Sequence, residues 1–284
     1  MVRDALIDAH GWPAERIEIV PMVASGDRIL DRALAEAGGK ALWTRELDAA
    51  LLAGSIDASV HSMKDVETER PATLSIAAML PRADVRDRIV GAEDIAMLRQ
   101  HARIGTSAPR RRAQLLRLRP DLDIALLRGN VQTRLGKVAA GEFDATLLAA
   151  AGLDRLGLQG TGTTIPLDTL LPAPAQGAVG IEIASGNEVA RHWISAINHE
   201  PTLRAVMLER AFLKGLNGDC RSPVAACAEP AGPAFRLRAE IYAPDGHEAV
   251  SLDREIAGDV GLVQMLARTL LAGAPPTIRE AFGR

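Results

Sequence analysis

Aromatic side chains, cysteines and long apolar runs are all scarce in this chain of 284 residues. Phe, Trp and Tyr make up 3% of the residues, which argues against a surface that stacks the bases of single-stranded nucleic acid. No stretch approaches the roughly 18 consecutive apolar residues of a membrane span, and the first residues lack the apolar segment and cleavage site of a secretory signal. We therefore expect a cytoplasmic protein without a membrane partner.

The chain has only two cysteines, Cys220 and Cys227. One pair cannot form a disulfide framework, and cytosolic proteins rarely keep disulfides. Cys220 lies between Asp219 and Arg221 in a segment that begins Gly-Leu-Asn-Gly, whereas a cysteine usually lies among buried apolar residues. We expect Cys220 to be a free thiol or a point of covalent attachment.

Metal and nucleotide signatures are also missing from the sequence. The six His and two Cys show no known spacing of metal ligands, so we predict no metal site. The glycine pair before Lys40 has neither the P-loop nor the dinucleotide-binding spacing. Classes of protein that depend on these motifs are therefore disfavoured.

Positive charge is concentrated in one segment, although the net charge of the chain is −3. Residues 103–137 contain nine Arg or Lys and two acids, Asp121 and Asp123. A solvated helix face is one explanation, and a nucleic-acid surface with steeply salt-dependent binding is another. Because the arginines gather at turn signals rather than along a stripe, we favour a site for small anions.

The pattern of elements predicts an α/β protein. Up to about residue 180, short β-rich runs such as "RIEIV" (16–20) and "SIDASV" (55–60) alternate with helical patterns, which predicts βαβ units and mainly parallel sheets. After about residue 198 the pattern changes to a helix (202–216), a hairpin around a Pro-Asp-Gly turn (235–256) and a closing helix (260–272). This last part predicts a separate small α+β domain.

Four motifs follow predicted strands, where open α/β sheets bind their ligands. These motifs are "HSMKD" (61–65), "GTSAPRRR" (105–112), "RGNVQTR" (128–134) and "AAGLDRL" (150–156). Arginines near a helix start suit carboxylate or phosphate groups, and Asp65 beside Lys64 suits a cationic or N–H-bearing substrate. Each motif alone also fits a plain helix cap or a surface ion pair, and His61 is more typical of a structural histidine.

Taken together with the cysteine segment, these motifs resemble the porphobilinogen deaminase (hydroxymethylbilane synthase) family over essentially the whole chain. The matching segments are "VPMVASGD", "GGKALWTREL", "DASVHSMKD", "GTSAPRRRAQL", "LRGNVQTRL", "AAGLDRLGL", "PAQGAVGIE" and "ERAFLKGLNGDCRSPV". The resemblance implies two periplasmic-binding-protein-like (type II) α/β domains around a cleft and a small C-terminal α+β domain. It assigns residues 1–80 and 178–197 to domain 1, 84–172 to domain 2 and 200–284 to domain 3.

The family's reaction implies a role for each of these motifs. Its members join four porphobilinogen molecules head to tail on a dipyrromethane primer, release ammonia and give 1-hydroxymethylbilane, a precursor of tetrapyrroles such as haem. By resemblance, Cys220 carries the primer through a thioether, Asp65 is the catalytic aspartate and Cys227 is a packing residue. The residues expected to bind the acidic side chains of the primer are Lys64, Thr106, Ser107, Arg110, Arg111, Arg128 and Arg134. Arg155 is expected to bind substrate, with Lys40 and Trp43 on a lid segment, where the family more often has Phe than Trp.

The sequence departs from the family pattern at its beginning. The family's first strand and its Gly-Thr-Arg-x-Ser-x-Leu-Ala turn have no counterpart here, so we expect a misassigned start or a truncation that weakens or abolishes activity. A second departure is Glu67, where the family often has Pro. The competing hypotheses are a non-catalytic anion-binding protein of the same fold, such as a solute receptor, and a nucleic-acid binder. The resemblance favours a monomeric enzyme that acts on porphobilinogen.

Overall fold

The computed structural model describes residues 1–23 and 44–283. In the described part of the chain, strands form three separate sheets, and no helix there has the length and apolar character needed to cross a membrane.

The first sheet contains strands from two distant parts of the chain. Its members are β1 (Ser59–Ser62), β2 (Leu74–Met79) and β8 (Val179–Ala184), in the order β1-β8-β2. Strand β8 runs antiparallel to both of its neighbours. The helices that accompany this sheet are α1 (Val2–His10), α2 (Arg45–Leu52) and α6 (Glu188–Ser195). Leu6 of α1 and Ile194 of α6 share a buried core with Ile181 of β8.

The second sheet carries three of the four motifs at strand ends. Its strands are β3 (Asp87–Val90), β4 (Arg103–Gly105), β5 (Asp123–Ala125), β6 (Ala145–Ala149) and β7 (Thr163–Thr164), in the order β5-β4-β6-β3-β7. Its helices are α3 (Pro109–Leu118), α4 (Val131–Ala139) and α5 (Ala150–Arg155). Strands β5, β4 and β6 are parallel, so their carboxyl ends lie at one edge of the sheet.

The third sheet is an antiparallel meander with helices on either side of it in the sequence. Its strands are β9 (Val224–Ala231), β10 (Ala234–Tyr242) and β11 (Ala249–Ile256), and its helices are α7 (Glu200–Gly215), α8 (Val260–Ala272) and α9 (Pro276–Phe282). Phe212 of α7, Leu237 of β10 and Val263 of α8 are fully buried in one apolar cluster. Helix α8 begins where Asp259 accepts hydrogen bonds from two backbone N–H groups, as an N-cap residue does.

Several predictions about the fold can be compared with these elements. The α/β class, the hairpin around the Pro-Asp-Gly turn and the closing helix 260–272 are confirmed. The prediction of mainly parallel sheets is wrong, because β8 returns to the first sheet and pairs antiparallel on both sides. The strand predicted at 16–20 is also wrong: Ala14–Arg16 is a 3₁₀ turn, and no described strand lies alongside residues 17–20 to hydrogen-bond with them.

The two chain crossings between the first and second sheets are tied to helix α7. Glu209 of α7 is fully buried. Its carboxylate accepts two hydrogen bonds from the Arg82 guanidinium, at 2.7 and 2.8 Å. It also accepts the backbone N–H of Ala175 at 2.6 Å and that of Ala228 at 2.7 Å. One carboxylate thus holds both crossings against the third sheet.

Candidate active site

A cleft of about 880 Å³ brings the Asp65 turn and the Cys220 turn together. Lys64, Asp65 and Cys220 all line it, although the first two belong to the segment after β1 and the third follows α7. The two most specific predictions from the sequence, a carboxylate after a strand and a cysteine in a charged turn, therefore share one cavity.

The Asp65 turn is a short 3₁₀ turn, Met63–Asp65, that ends β1. Met63 is 1% exposed and anchors this turn in an apolar cluster with Ala178 and Val206. Asp65 is exposed and Lys64 is half-buried. Removal of the ammonium group from water lowers the pKa of Lys64, while the Asp65 carboxylate opposes that change and Arg111 adds to it. The turn thus presents both charges to the cleft.

The Cys220 side chain is a free thiol that is exposed toward the cleft. Its pKa is raised to about 11, chiefly by desolvation by the surrounding protein and then by the carboxylates of Asp219 and Asp65. Arg221 opposes it only partly, because its guanidinium is paired with Asp219. At neutral pH the sulfur is therefore protonated. Cys227 differs: it is 1% exposed in β9, which confirms its predicted packing role.

The carboxyl ends of the parallel strands carry a second group of predicted residues, and among the described residues none of this group lines the cavity that holds Asp65 and Cys220. Thr106 is buried after β4, and its hydroxyl accepts the Ala108 N–H at 3.2 Å, while Ser107 is half-buried beside it. Arg128 is half-buried after β5. Gly129 follows it with a φ of 108°, a backbone conformation that glycine adopts without strain. This tight turn leads into α4, whose N-cap residue Asn130 accepts the Thr133 N–H.

Arg110 and Arg111 lie in the first turn of α3 and are bound to a single carboxylate. Arg110 donates to Asp87 at 2.9 Å and Arg111 donates to it at 2.8 Å, and all three residues are buried. Burial alone would raise the pKa of Asp87, but the two arginines hold it well below its ordinary value. One negative charge thus faces two positive charges, which leaves the cluster with an excess of positive charge.

Arg134 belongs electrostatically to the same group. The pKa of Arg134 is lowered to about 10, chiefly by burial and then by the charges of Arg111 and Arg128, which Asp65 opposes. Its Nε donates to the Gly129 carbonyl at 2.8 Å. Arg155 is exposed at the end of α5. The predicted lid residues Lys40 and Trp43 lie outside the described residues.

Sequence reasoning missed residues that support the site from behind. Asp87 anchors the two arginines, and Gln176 donates to the same carboxylate at 2.9 Å. Arg210 of α7 donates to backbone carbonyls just after Asp65. A charged residue inside a β-rich run, as in "RDRIV", is a signal that could have drawn attention to Asp87. Arg210 gave no such signal, because nothing nearby in the sequence indicates its partners.

Comparison with known proteins shows which family this chain resembles. Residues 1–192 match the family model described as porphobilinogen deaminase, dipyromethane cofactor binding domain, and residues 203–272 match the model of its C-terminal domain. The porphobilinogen deaminase of Sphingopyxis alaskensis is 58% identical over 99% of this chain and 91% of its own length. That of Paracoccus denitrificans is 48% identical over 89% of this chain and 82% of its own.

Among solved structures the likeness is weaker. The periplasmic aliphatic sulphonate binding protein of Escherichia coli aligns with 95% of this chain and 83% of its own at 14% identity, with a TM-score of 0.40. The two family models and the two relatives, in contrast, span both the Asp65 and the Cys220 sides of the cleft. This chain belongs to the porphobilinogen deaminase family.

Proposed function

We propose that the cleft between Asp65 and Cys220 is where this chain carries out the reaction of its family. The enzyme is a hydroxymethylbilane synthase: it condenses four porphobilinogen molecules on a covalently bound dipyrromethane primer. The observation that carries the assignment of the site is that an exposed thiol and an exposed carboxylate, distant in the sequence, line the same cavity. A family member needs one group to attach the primer and one to act on the substrate.

The residues present fit a primer that carries several carboxylates. Arg110 and Arg111 share one carboxylate, and the Arg110 Nε is buried without a hydrogen-bond partner among the described residues. The pKa values of Lys64 and Arg134 are lowered by burial and by neighbouring positive charge. Bound anions relieve such a site, because each one compensates charge that the protein leaves in excess. We therefore assign the primer's acidic side chains to Lys64, Thr106, Ser107, Arg110, Arg111, Arg128 and Arg134.

Cys220 is the attachment point in this proposal. Because its pKa is raised to about 11, the thiol is not an activated nucleophile, so the thioether requires a strongly electrophilic pyrrolic methylene carbon. That carbon loses its amine and bonds to the sulfur, and the thiol proton leaves with the amine as ammonia. When bound, the primer would supply the terminal pyrrole carbon that the first substrate unit joins, and each later unit would join the ring added before it. Cys227, which is buried in β9, has no part in this chemistry.

Asp65 acts on the substrate. Porphobilinogen loses its amine as ammonia, and its methylene carbon forms the new bond to the pyrrole carbon, which then loses a proton. Positive charge develops on the substrate ring in between, and a fixed carboxylate stabilises it by accepting the pyrrole N–H. The proton that the ring carbon loses balances the one that the departing amine needs, so Asp65 also serves as the proton carrier. Arg155, Lys40 and Trp43 are proposed to bind the substrate.

Two measurements test this proposal. We expect the intact mass of the purified protein to exceed the chain mass by two condensed porphobilinogen units, with the increment mapped to the Cys220 peptide. We expect Asp65→Asn to keep that increment or accept it from added substrate, and to lose turnover by at least about 10²-fold, as when a preorganised stabilising group is removed. An increment elsewhere, or an Asp65→Asn variant as active as the wild type, contradicts the assignment.

The remaining proposals concern architecture and surroundings. We infer that the three sheets mark the predicted domains, which their separate apolar cores support. We also infer a cytoplasmic monomer without a nucleic-acid or membrane partner. In the basic segment, Arg110 and Arg111 are bound to Asp87 and Arg119 is bound to Asp121, which argues against a free nucleic-acid surface. Light scattering and a DNA mobility-shift assay at low salt test these two points.

A further inference from the structure

The segment that follows Asp65, residues 66–70, is held from the side of the third sheet by Arg210 of helix α7. The Arg210 guanidinium donates to three consecutive backbone carbonyls, those of Val66 at 3.2 Å, Glu67 at 2.5 Å and Thr68 at 3.2 Å. The side chain is 6% exposed. Three carbonyls that converge on one planar cation cannot rotate independently, so this contact fixes the backbone that leads away from the Asp65 turn.

The same segment touches the Cys220 turn directly. The Thr68 hydroxyl donates to the Gly218 carbonyl at 3.1 Å, two residues before Cys220. Lys214, at the end of α7, pairs with Glu69 at 2.9 Å. The backbone after the carboxylate and the backbone before the thiol are therefore connected by hydrogen bonds, and α7 supplies the cations that hold them.

Arg70 holds the other end of the segment to the first sheet. Its guanidinium donates to both oxygens of Glu182 in β8, at 2.8 and 2.7 Å, and to Glu67 at 2.6 Å. Burial alone would lower the pKa of Arg70, but hydrogen bonds to Glu182 and Asp48 hold it above its ordinary value. Residues 66–70 are thus fixed at one end to a sheet and at the other to helix α7.

The chemistry of the Arg210 contact is unusual for a purely structural arginine. Buried guanidinium groups are ordinarily paired with a carboxylate, as Arg70, Arg82 and Arg110 are. Within the described residues, Arg210 donates instead to carbonyls. Burial and the charge of Arg70 lower its pKa to about 10, although Glu182 and Glu67 oppose this change. A chain that only needed to satisfy three carbonyls could do so with backbone N–H groups, without placing a charge in a poorly solvated position.

We propose that Arg210 is a positioning residue for the reaction: it fixes the position of the Asp65 carboxylate relative to the chain attached to Cys220. This inference rests on the proposed function, in which Asp65 and Cys220 act on the same growing chain. Arg210 does not act on the reacting atoms in this account. It sets the separation of the two turns through residues 66–68 and Gly218, and an error of about 1 Å in such a separation costs on the order of 10²-fold in rate.

The test compares Arg210→Met with a matched arginine elsewhere. Arg119 also donates to a series of backbone carbonyls, including those of Ile95 and Leu98, and it does not line the cleft. Both variants are prepared with the primer attached, and loading is measured by intact mass. We expect Arg210→Met to lower kcat per loaded molecule by about 10- to 100-fold with little change in KM. Arg119→Met is expected to lose stability toward urea and to keep its kcat.

Two further variants test the positioning role of Arg210 if Arg210→Met does not fold. Arg210→Lys keeps the charge but lacks the planar fork, and we expect it to recover only part of kcat. Thr68→Val removes the hydroxyl that bonds Gly218, and a several-fold loss of kcat is expected. Wild-type kcat in loaded Arg210→Met or Thr68→Val overturns the inference. A tenfold rise of KM at unchanged kcat also overturns it, because that result marks direct substrate binding.

Turnover of Asp65→Asn, measured in parallel, distinguishes failure of the proposed function from failure of the positioning role of Arg210. If Asp65→Asn is inactive and the loaded Arg210→Met enzyme is fully active, the proposed function stands and only the positioning role is lost. If Asp65→Asn keeps wild-type turnover, the proposed function is wrong, whatever the Arg210 variants show.

Discussion

The two sides of the candidate site, the second-sheet residues and the pair Asp65 and Cys220, are built in different ways. On the side of the second sheet, the predicted binding residues follow parallel strands, and a local turn or helix start places each of them. On the other side, Asp65 and Cys220 lie in short irregular turns whose positions depend on contacts with distant residues such as Met63 with Val206 and Thr68 with Gly218. On the first side, regular elements set the local backbone, and the buried Asp87 cluster holds Arg110 and Arg111. On the second side, long-range contacts such as Thr68 with Gly218 take the place of regular elements.

The largest expected effect is on the regular side, at its buried charge cluster. Asp87→Ala leaves Arg110 and Arg111 buried without a carboxylate, and breaking a buried ion pair in this way costs about 3–5 kcal/mol of the free energy of unfolding. Urea denaturation measures this loss. The control is Asp253→Ala, which removes the partner of Arg236 on the exposed side of the third sheet. Equal losses in the two variants would contradict the view that the cluster anchors this side.

A backbone position beneath the Asp65 turn gives the next largest effect. A Cβ added at Gly180 would overlap the side chain of Met63, which is 1% exposed, and overpacking of this kind costs about 1–3 kcal/mol. We expect Gly180→Ala to lower both stability and turnover, since Met63 begins the turn that carries Asp65. Gly186→Ala, where a new Cβ meets nothing within 4 Å, is the control. Full activity of Gly180→Ala would show that the turn tolerates displacement.

A single cation on the regular side is expected to affect binding more than rate. Arg134→Gln removes a positive charge that lies close to Arg111 and Arg128. The loss of one charged hydrogen bond to a carboxylate, about 1.5–3 kcal/mol, is expected to raise KM for porphobilinogen or weaken primer retention by about tenfold or more. Steady-state kinetics and intact mass report the two effects. Lys137→Gln, on the same helix but paired with Glu142, is expected to change neither.

The smallest expected effect is a shift in a pH profile on the irregular side. The Asp219 carboxylate disfavours the Cys220 thiolate, so Asp219→Asn is expected to lower the thiol pKa from about 11 toward its ordinary value of 9.0. At any pH below that value the thiolate fraction then increases, and alkylation of protein isolated without primer becomes faster. The rate of iodoacetamide labelling between pH 8 and about 11 checks this. A labelling profile that stays in place or moves to higher pH would contradict this prediction.

The second-sheet side of the site could be predicted from the sequence, whereas the contacts around Asp65 and Cys220 could not. The turns after β4 and β5 carry their own signals, such as Pro109 in the first turn of α3 and Gly129 with its positive φ, so local patterns were enough. The Arg210 contact could not be predicted, because its carbonyl partner Val66 lies 144 residues away. The direction of β8 was also missed, since an apolar run has no signal for the orientation of its neighbours.

The protonation state of Cys220 has a consequence for the lifetime of the protein before its primer is attached. With a pKa of about 11, roughly one thiol in 10⁴ is ionised at pH 7. Peroxides and disulfides react with the thiolate rather than the thiol, so we expect this exposed cysteine to be oxidised slowly. Desolvation by the surrounding protein, reinforced by the Asp219 and Asp65 carboxylates, keeps the proton on the sulfur. It thereby slows reaction with weak electrophiles and leaves the sulfur available to a strong one.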